Sequence, residues 1–174
     1  MSDLLTDVQS VLATSTARWS AIARIEPAIL ARRPEPGEWS AIECLAHVVD
    51  TELVVFRARV LAILEGRDFA SFDPDAEGSP IDRPATALAA ELESSRPESL
   101  ATLATLTAGD LGKTARHASL GIVTMSELLN EWAAHDTMHI VQAERALMQP
   151  FVTGSGPWRS FFVDHDVEAP PANG

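Results

Sequence analysis

Residues 124–149, TMSELLNEWAAHDTMHIVQAERALMQ, decide how this chain folds. Thr124 and Glu127 form a T-x-x-E capping box, and neither proline nor glycine interrupts the run before Pro150, which is expected to stop the helix. His135 and His139 stand at i and i+4. On a helix their rings lie roughly 40° apart in azimuth and one turn apart, close enough to serve one metal ion. Glu131 and Gln142 share that line, flanked by Leu128, Trp132, Met138 and Ala146. A polar seam inside an apolar face calls for a reason. Two histidines hydrogen-bonded into a core would supply one. The pair also lacks the Glu directly after the first His that marks a zinc-protease helix, since Asp136 stands there. A third ligand elsewhere is what separates a core pair from a metal site.

Working outward, the next well-marked helix begins at Ser40, with Glu43 three residues on as a second capping box and Trp39 just outside it. It is expected to run to about Glu65. His47 then falls on a line with Glu43, Thr51, Val54 and Ala58, while Leu45, Val49, Phe56 and Ile63 lie on the opposite side. A helix apolar on two faces is either a central core helix or one whose second face meets another subunit. Before it, Leu5, Val8, Leu12, Trp19 and Ile22 recur at helical steps from a cap at Ser2 or Asp3 up to Pro27, and PAILARRPEPGEWS reads as a connecting loop. After it, RDFASFDPDAEGSPIDRP reads as a long surface loop bordering the site. A third helix follows from Pro84, which suits a first turn, through Leu88, Leu92, Leu100, Leu103 and Leu106, with a kink or break expected near Ser95 and Arg96 because Pro97 removes a backbone donor. A second loop, residues 107–123, carries His117. No strand periodicity is evident. The expected fold is an all-α antiparallel four-helix bundle, one domain over residues 1–165, with residues 166–174 as a fraying tail.

A net charge of -12, from 25 acidic and 13 basic residues, disfavours nucleic acid and anionic membrane surfaces and points to a small-molecule substrate or a protein partner. MSDLLTDVQS has no basic region followed by an apolar run, so a cytoplasmic location is expected. Cys44 is the single cysteine, so a metal site here depends on nitrogen and oxygen ligands. Cys44 itself reads as a packed thiol in preference to a ligand.

In a bundle, the second and fourth helices can face one another, which makes His47 the natural third ligand beside His135 and His139. His117 is the reserve and His165 sits in the tail. Three neutral imidazoles leave one position open on a divalent ion, the arrangement of a reactive site. Glu131 and Asp136 are the candidates for orienting the imidazoles or taking up a released proton.

Two segments, GEWSAIECLAHVVDTE and RHASLGIVTMSELLNEWAAHDTMHIVQAE, resemble the DinB-like (YfiT-like) metal-dependent four-helix bundles through Trp39, Ser40, His47, His117, Gly121, Trp132, His135, Asp136, His139 and Gln142. The resemblance implies a divalent metal on His47, His135 and His139, zinc first, with nickel or iron as alternatives, and a homodimer. It also implies thiol S-transfer with mycothiol, bacillithiol or glutathione as cosubstrate. Lys113 is the sole lysine, a composition common among mycothiol users. Pro97 departs from the family pattern. A hydrolase using metal-activated water and a noncatalytic metal-binding dimer stay open beside the transferase.

Overall fold

The computed structural model describes residues 3–168, and each of its four long helices starts where the sequence places a cap or a proline. Helix α1 (Leu4–Ile22) buries Leu5, Val8, Leu12, Ser15, Trp19 and Ile22, the expected three- and four-residue steps. Asp3 occupies its cap position, while Ser2 lies outside the described residues. Pro27 does not end this helix but opens a one-turn helix, Pro27–Leu30, where its fixed φ suits the first turn.

Helix α2 is continuous over 41–64, as Ala41–Thr51, Glu52–Phe56 and Arg57–Leu64. Its Ser40 cap is closed in both directions, Ser40 N–H donating to Glu43 Oε2 at 2.8 Å. The middle segment is a π-turn, and this corrects the expected helical line. A π-turn takes more residues per turn, so the positions beyond it rotate. Val54 is therefore turned out to solvent, and Glu52 and Phe56 are turned in.

Helix α3 (Ala85–Ala104) has Pro84 as its cap residue and passes Pro97 without the expected break. Pro97 faces solvent, and burial of Leu92, Ser99 and Leu103 on the other side holds the helix across the missing hydrogen bond. Helix α4 (Met125–Gly154) likewise continues through Pro150, where Gln149 and Val152 are buried, and two residues beyond its end Gly156 (φ 57°) starts the short 3-10 segment Gly156–Phe162. Residues 166–168, expected to fray, are tied down. Asp166 pairs with Arg159, and Val167 N–H donates to Gln149 Oε1 at 3.2 Å. The rest of the expected tail, including PPANG, lies outside the described residues.

The loop before α4 holds two short antiparallel strands, β1 (Thr114–His117) and β2 (Gly121–Thr124), in the register Thr114↔Thr124 and His117↔Gly121. Four residues are too few for an alternation to be counted, which is why the sequence shows none. The backbone of Phe69, in the long loop, pairs with the free edge of β1, Phe69 N–H donating to Arg116 O at 3.0 Å.

α1 and α2 each pack on both α3 and α4. One apolar cluster gathers Trp19, Leu45, Leu88 and Ile140, and a second gathers Leu12, Phe56, Leu103 and Trp132. The order in which each helix visits them shows α1 and α4 running one way and α2 and α3 the other, so α1/α3 and α2/α4 are antiparallel neighbours. Between the clusters lies a buried polar layer to which every helix contributes, with Ser15, Glu52, Arg96 and Asp136 as its linked members. Among the described residues, no helix is long and apolar enough to cross a membrane.

Candidate metal centre

The α2/α4 contact brings the three predicted histidines together. The ring nitrogens of His47, His135 and His139 lie within 4.8 Å of one another, and His47 Nε2 is 2.9 Å from His135 Nε2. Nitrogens bonded at about 2.0–2.1 Å to one tetrahedral ion would be about 3.4 Å apart, so the spacing fits a shared metal. Among the described residues no further His, Cys, Asp or Glu joins the cluster.

Each ring is held from behind. Trp39 stacks on His139 with centroids 5.6 Å apart and lies tilted against His47 at 4.9 Å, which gives the residue ahead of the Ser40 cap a direct place in the site. Phe56 meets His135 edge-on at 5.0 Å while stacking on Trp132. His139 Nδ1–H donates to Gln142 Oε1 at 3.0 Å, which fixes the tautomer and leaves Nε2 its lone pair. The Nδ1 atoms of His47 and His135 are buried and have no protein partner; with protons there, all three Nε2 lone pairs converge.

Electrostatics favour the neutral rings that a metal requires. Burial, then repulsion from His139, pushes His47 down to about 4. Burial, then repulsion from His139 and His47, pushes His135 down to about 3. His139 is also lowered by burial, against opposing contributions from Gln142 and Asp136.

The histidines form the floor of a cleft of about 440 Å³ whose walls come from α2, the long loop (Ser71, Phe72, Pro74), the strand turn (His117, Ser119, Leu120) and α4 (Glu131, Met138). Glu131 stands on the cleft wall one turn before His135, its carboxyl raised by desolvation and countered by Arg59. Asp136 is elsewhere. It points into the bundle, accepting from Arg96 Nη2 at 3.1 Å and from Ser15 Oγ, and touches none of the rings. His117 lines the cleft but stays outside the triad, its Nδ1 accepting from the N–H groups of Ser119 at 3.1 Å and Leu120 at 3.3 Å. Cys44 is fully buried, its thiol pushed up to about 12 by desolvation, which is the expected packed state.

The polar layer just inside the site escapes a reading of motifs, although it leaves a trace in the sequence. Arg96 occupies the apolar line Leu88, Leu92, Ser99, Leu103 of α3, and Asp136 the line Leu129, Trp132, Ile140, Ala143 of α4. A charge on a core stripe marks a buried ion pair.

The family model of the DinB superfamily matches residues 12–143, a span that holds all three histidines. The chain belongs to the DinB superfamily. Among solved structures, YfiT from Bacillus subtilis, described as a probable metal-dependent hydrolase with an unusual four-helix bundle topology, is similar to this DinB-superfamily chain with a TM-score of 0.73 at 19% identity, over 82% of this chain and 85% of that one. At that identity the match shows a shared fold. No curated protein matches the chain.

Proposed function

We propose that this DinB-superfamily chain is a metal-dependent thiol S-transferase that joins a low-molecular-weight thiol, such as mycothiol, to an electrophilic small molecule. The observation that carries the reading is the convergence of three neutral imidazoles, with no fourth protein ligand among the described residues, on the floor of an open cleft. His47, His135 and His139 would hold a divalent ion, zinc first and nickel or iron as alternatives. Such an ion supplies a Lewis acid that ionises a thiol of pKa about 8.5 at neutral pH. The chain's own residues do the rest. Gln142 keeps the His139 lone pair aimed at the cleft, and Trp39 and Phe56 fix the ring planes. Glu131, whose carboxyl is raised by desolvation, takes up the thiol proton. The sulfur then forms its C–S bond to the electrophile held beside it as the bond to the leaving group breaks and that group departs with the electron pair, as chloride does from monochlorobimane. Proximity contributes much of the remaining acceleration. Asp136, held by Arg96 and Ser15, has no part in the proton transfer.

Hydrolysis by metal-activated water is the second reading. It is favoured by the description of YfiT and uses Glu131 as the base in the same place. Incubating metal-loaded protein with mycothiol, bacillithiol or glutathione and monochlorobimane separates the two. Conjugation that needs thiol and is lost in His135→Ala supports the transferase. Equal rates in the two proteins, or thiol-independent turnover of ester or amide substrates, would reject it.

A homodimer in the cytoplasm completes the proposal. Leu53, Val54 and Leu61 are exposed on α2, and light scattering at micromolar concentration should give twice the chain mass.

A further inference from the structure

Arg59 lines the same cleft as the triad. Its guanidinium lies 5.3 Å over the ring of Phe69, and Nη2 donates to Ala70 O at 3.2 Å, which occupies one of its five N–H groups. Among the described residues no carboxylate lies within ion-pair distance of it, whereas Arg18, Arg33, Arg57, Arg67, Arg83, Arg96, Arg145 and Arg159 all have one, and Arg24, Arg32 and Arg116, which also lack one, are exposed where Arg59 is partly buried. Glu131, on the same cleft wall, is near enough for its charge to be felt but not to pair. In a chain of net charge -12, a half-buried cation without a salt bridge beside the candidate reaction centre points to a charge it receives from outside.

His117 packs against the same Phe69 ring, edge-on with centroids 5.5 Å apart. Because Nδ1 accepts from two backbone N–H groups, the neutral ring must carry its proton on Nε2, and no described residue accepts from that N–H. Arg59 and His117 thus both rest on one aromatic ring. The Phe69 backbone is pinned to β1, and the charge of Arg59 is felt at both His117 and His135. The hydroxyls of Ser71 and Ser119 are hydrogen-bonded to each other, which uses one O–H and leaves the other as a donor on the same wall.

We infer that the cleft takes a small molecule bearing a carboxylate, and that Arg59, with the Nε2–H of His117, forms the anion-binding pole that holds it beside the histidine triad. This rests on the reading of the cleft as the substrate site. A guanidinium and a neutral imidazole N–H offer a carboxylate charge-assisted bonds in fixed directions, and the cleft volume suits a molecule of metabolite size. Glu131 repels such a ligand, so the carboxylate sits on the Phe69 side and the reacting atoms reach toward the triad. The carboxylate can belong to the electrophile or to the thiol.

The test follows the Arg59 Nε–H signal by NMR in zinc-loaded protein titrated with benzoate or with benzamide, a neutral molecule of the same shape. Benzoate should shift that signal saturably and bind at least about fivefold tighter than benzamide, and Arg59→Gln should bring the ratio under about twofold with metal content unchanged. Arg59→Lys should keep part of the preference. A preference undiminished in Arg59→Gln, or saturation by benzoate without movement of the Arg59 signal, would overturn the proposal. Repeating the titration on metal-free protein keeps it separate from the metal reading: the preference should persist there, and its absence without metal would mean that benzoate is held by the ion and not by Arg59. Displacement of benzoate by glutathione puts the carboxylate on the thiol, and simultaneous binding puts it on the electrophile.

Discussion

Arg96 Nη2 donates to Asp136 Oδ1 at 3.1 Å across the α3/α4 contact, with both side chains only 2% exposed. Arg96 Nη1 also lies 3.3 Å from Glu52 Oε2, so one guanidinium faces two carboxylates in the middle of the bundle, and Ser15 of α1 completes the layer. Arg96→Ala leaves those carboxylates buried without compensation, and urea denaturation should show a loss of about 3–5 kcal/mol. Glu144→Ala, which breaks only the exposed Arg18–Glu144 pair, should cost less than about 1 kcal/mol. Similar losses for the two variants would mean that the layer is not the tie described here.

Stability of the metal-free protein should fall with acid. The unfolded chain titrates its histidines near 6.5, whereas folded His47 titrates at about 4 and His135 at about 3. Between those values the unfolded state binds more protons. The contribution is therefore complete above about pH 6.5 and is lost as pH falls through the folded values. Denaturation midpoints should drop from about pH 7 to about pH 4.5, and drop less in a His47→Gln, His135→Gln double variant. Parallel profiles would refute this origin.

Pro97 lies on the exposed side of a helix that continues through it, so Pro97→Ala restores a backbone donor without disturbing the core. The substitution should stabilise by about 1 kcal/mol or more, raising Tm by several degrees. An unchanged Tm would show that the local backbone has relaxed fully around the proline.

How much of this is legible in the sequence follows from the range of each interaction. The caps at Ser40 and Thr124 are readable because a capping box closes within four residues, and the meeting of His47 with His135 and His139 is readable because helical spacing and bundle packing leave few other partners. The π-turn at Glu52–Phe56 is not, since nothing in ELVVF requires it; it arises where Glu52 must reach Arg96 while Phe56 reaches Trp132. Pro97 and Pro150 mislead because tertiary burial on either side outweighs one lost hydrogen bond. Asp136, beside a histidine in sequence, lies on a different face of the helix from it, and its partner Arg96 is 40 residues away.

Gln142 acts on the site through His139. Gln142→Leu should leave the bundle intact but weaken metal affinity by about 10- to 100-fold, measured by chelator competition, while Gln142→Glu should retain most of it. An affinity unchanged in Gln142→Leu would remove the hydrogen bond from the account.

The most direct measurement is the metal content of purified protein by elemental analysis, compared with the single variants His47→Ala, His135→Ala and His139→Ala, whose folding is checked by circular dichroism. The account predicts close to one divalent ion per chain in the parent and large losses in all three variants, because two imidazoles hold a divalent ion poorly. Full retention of metal in folded His47→Ala would contradict it.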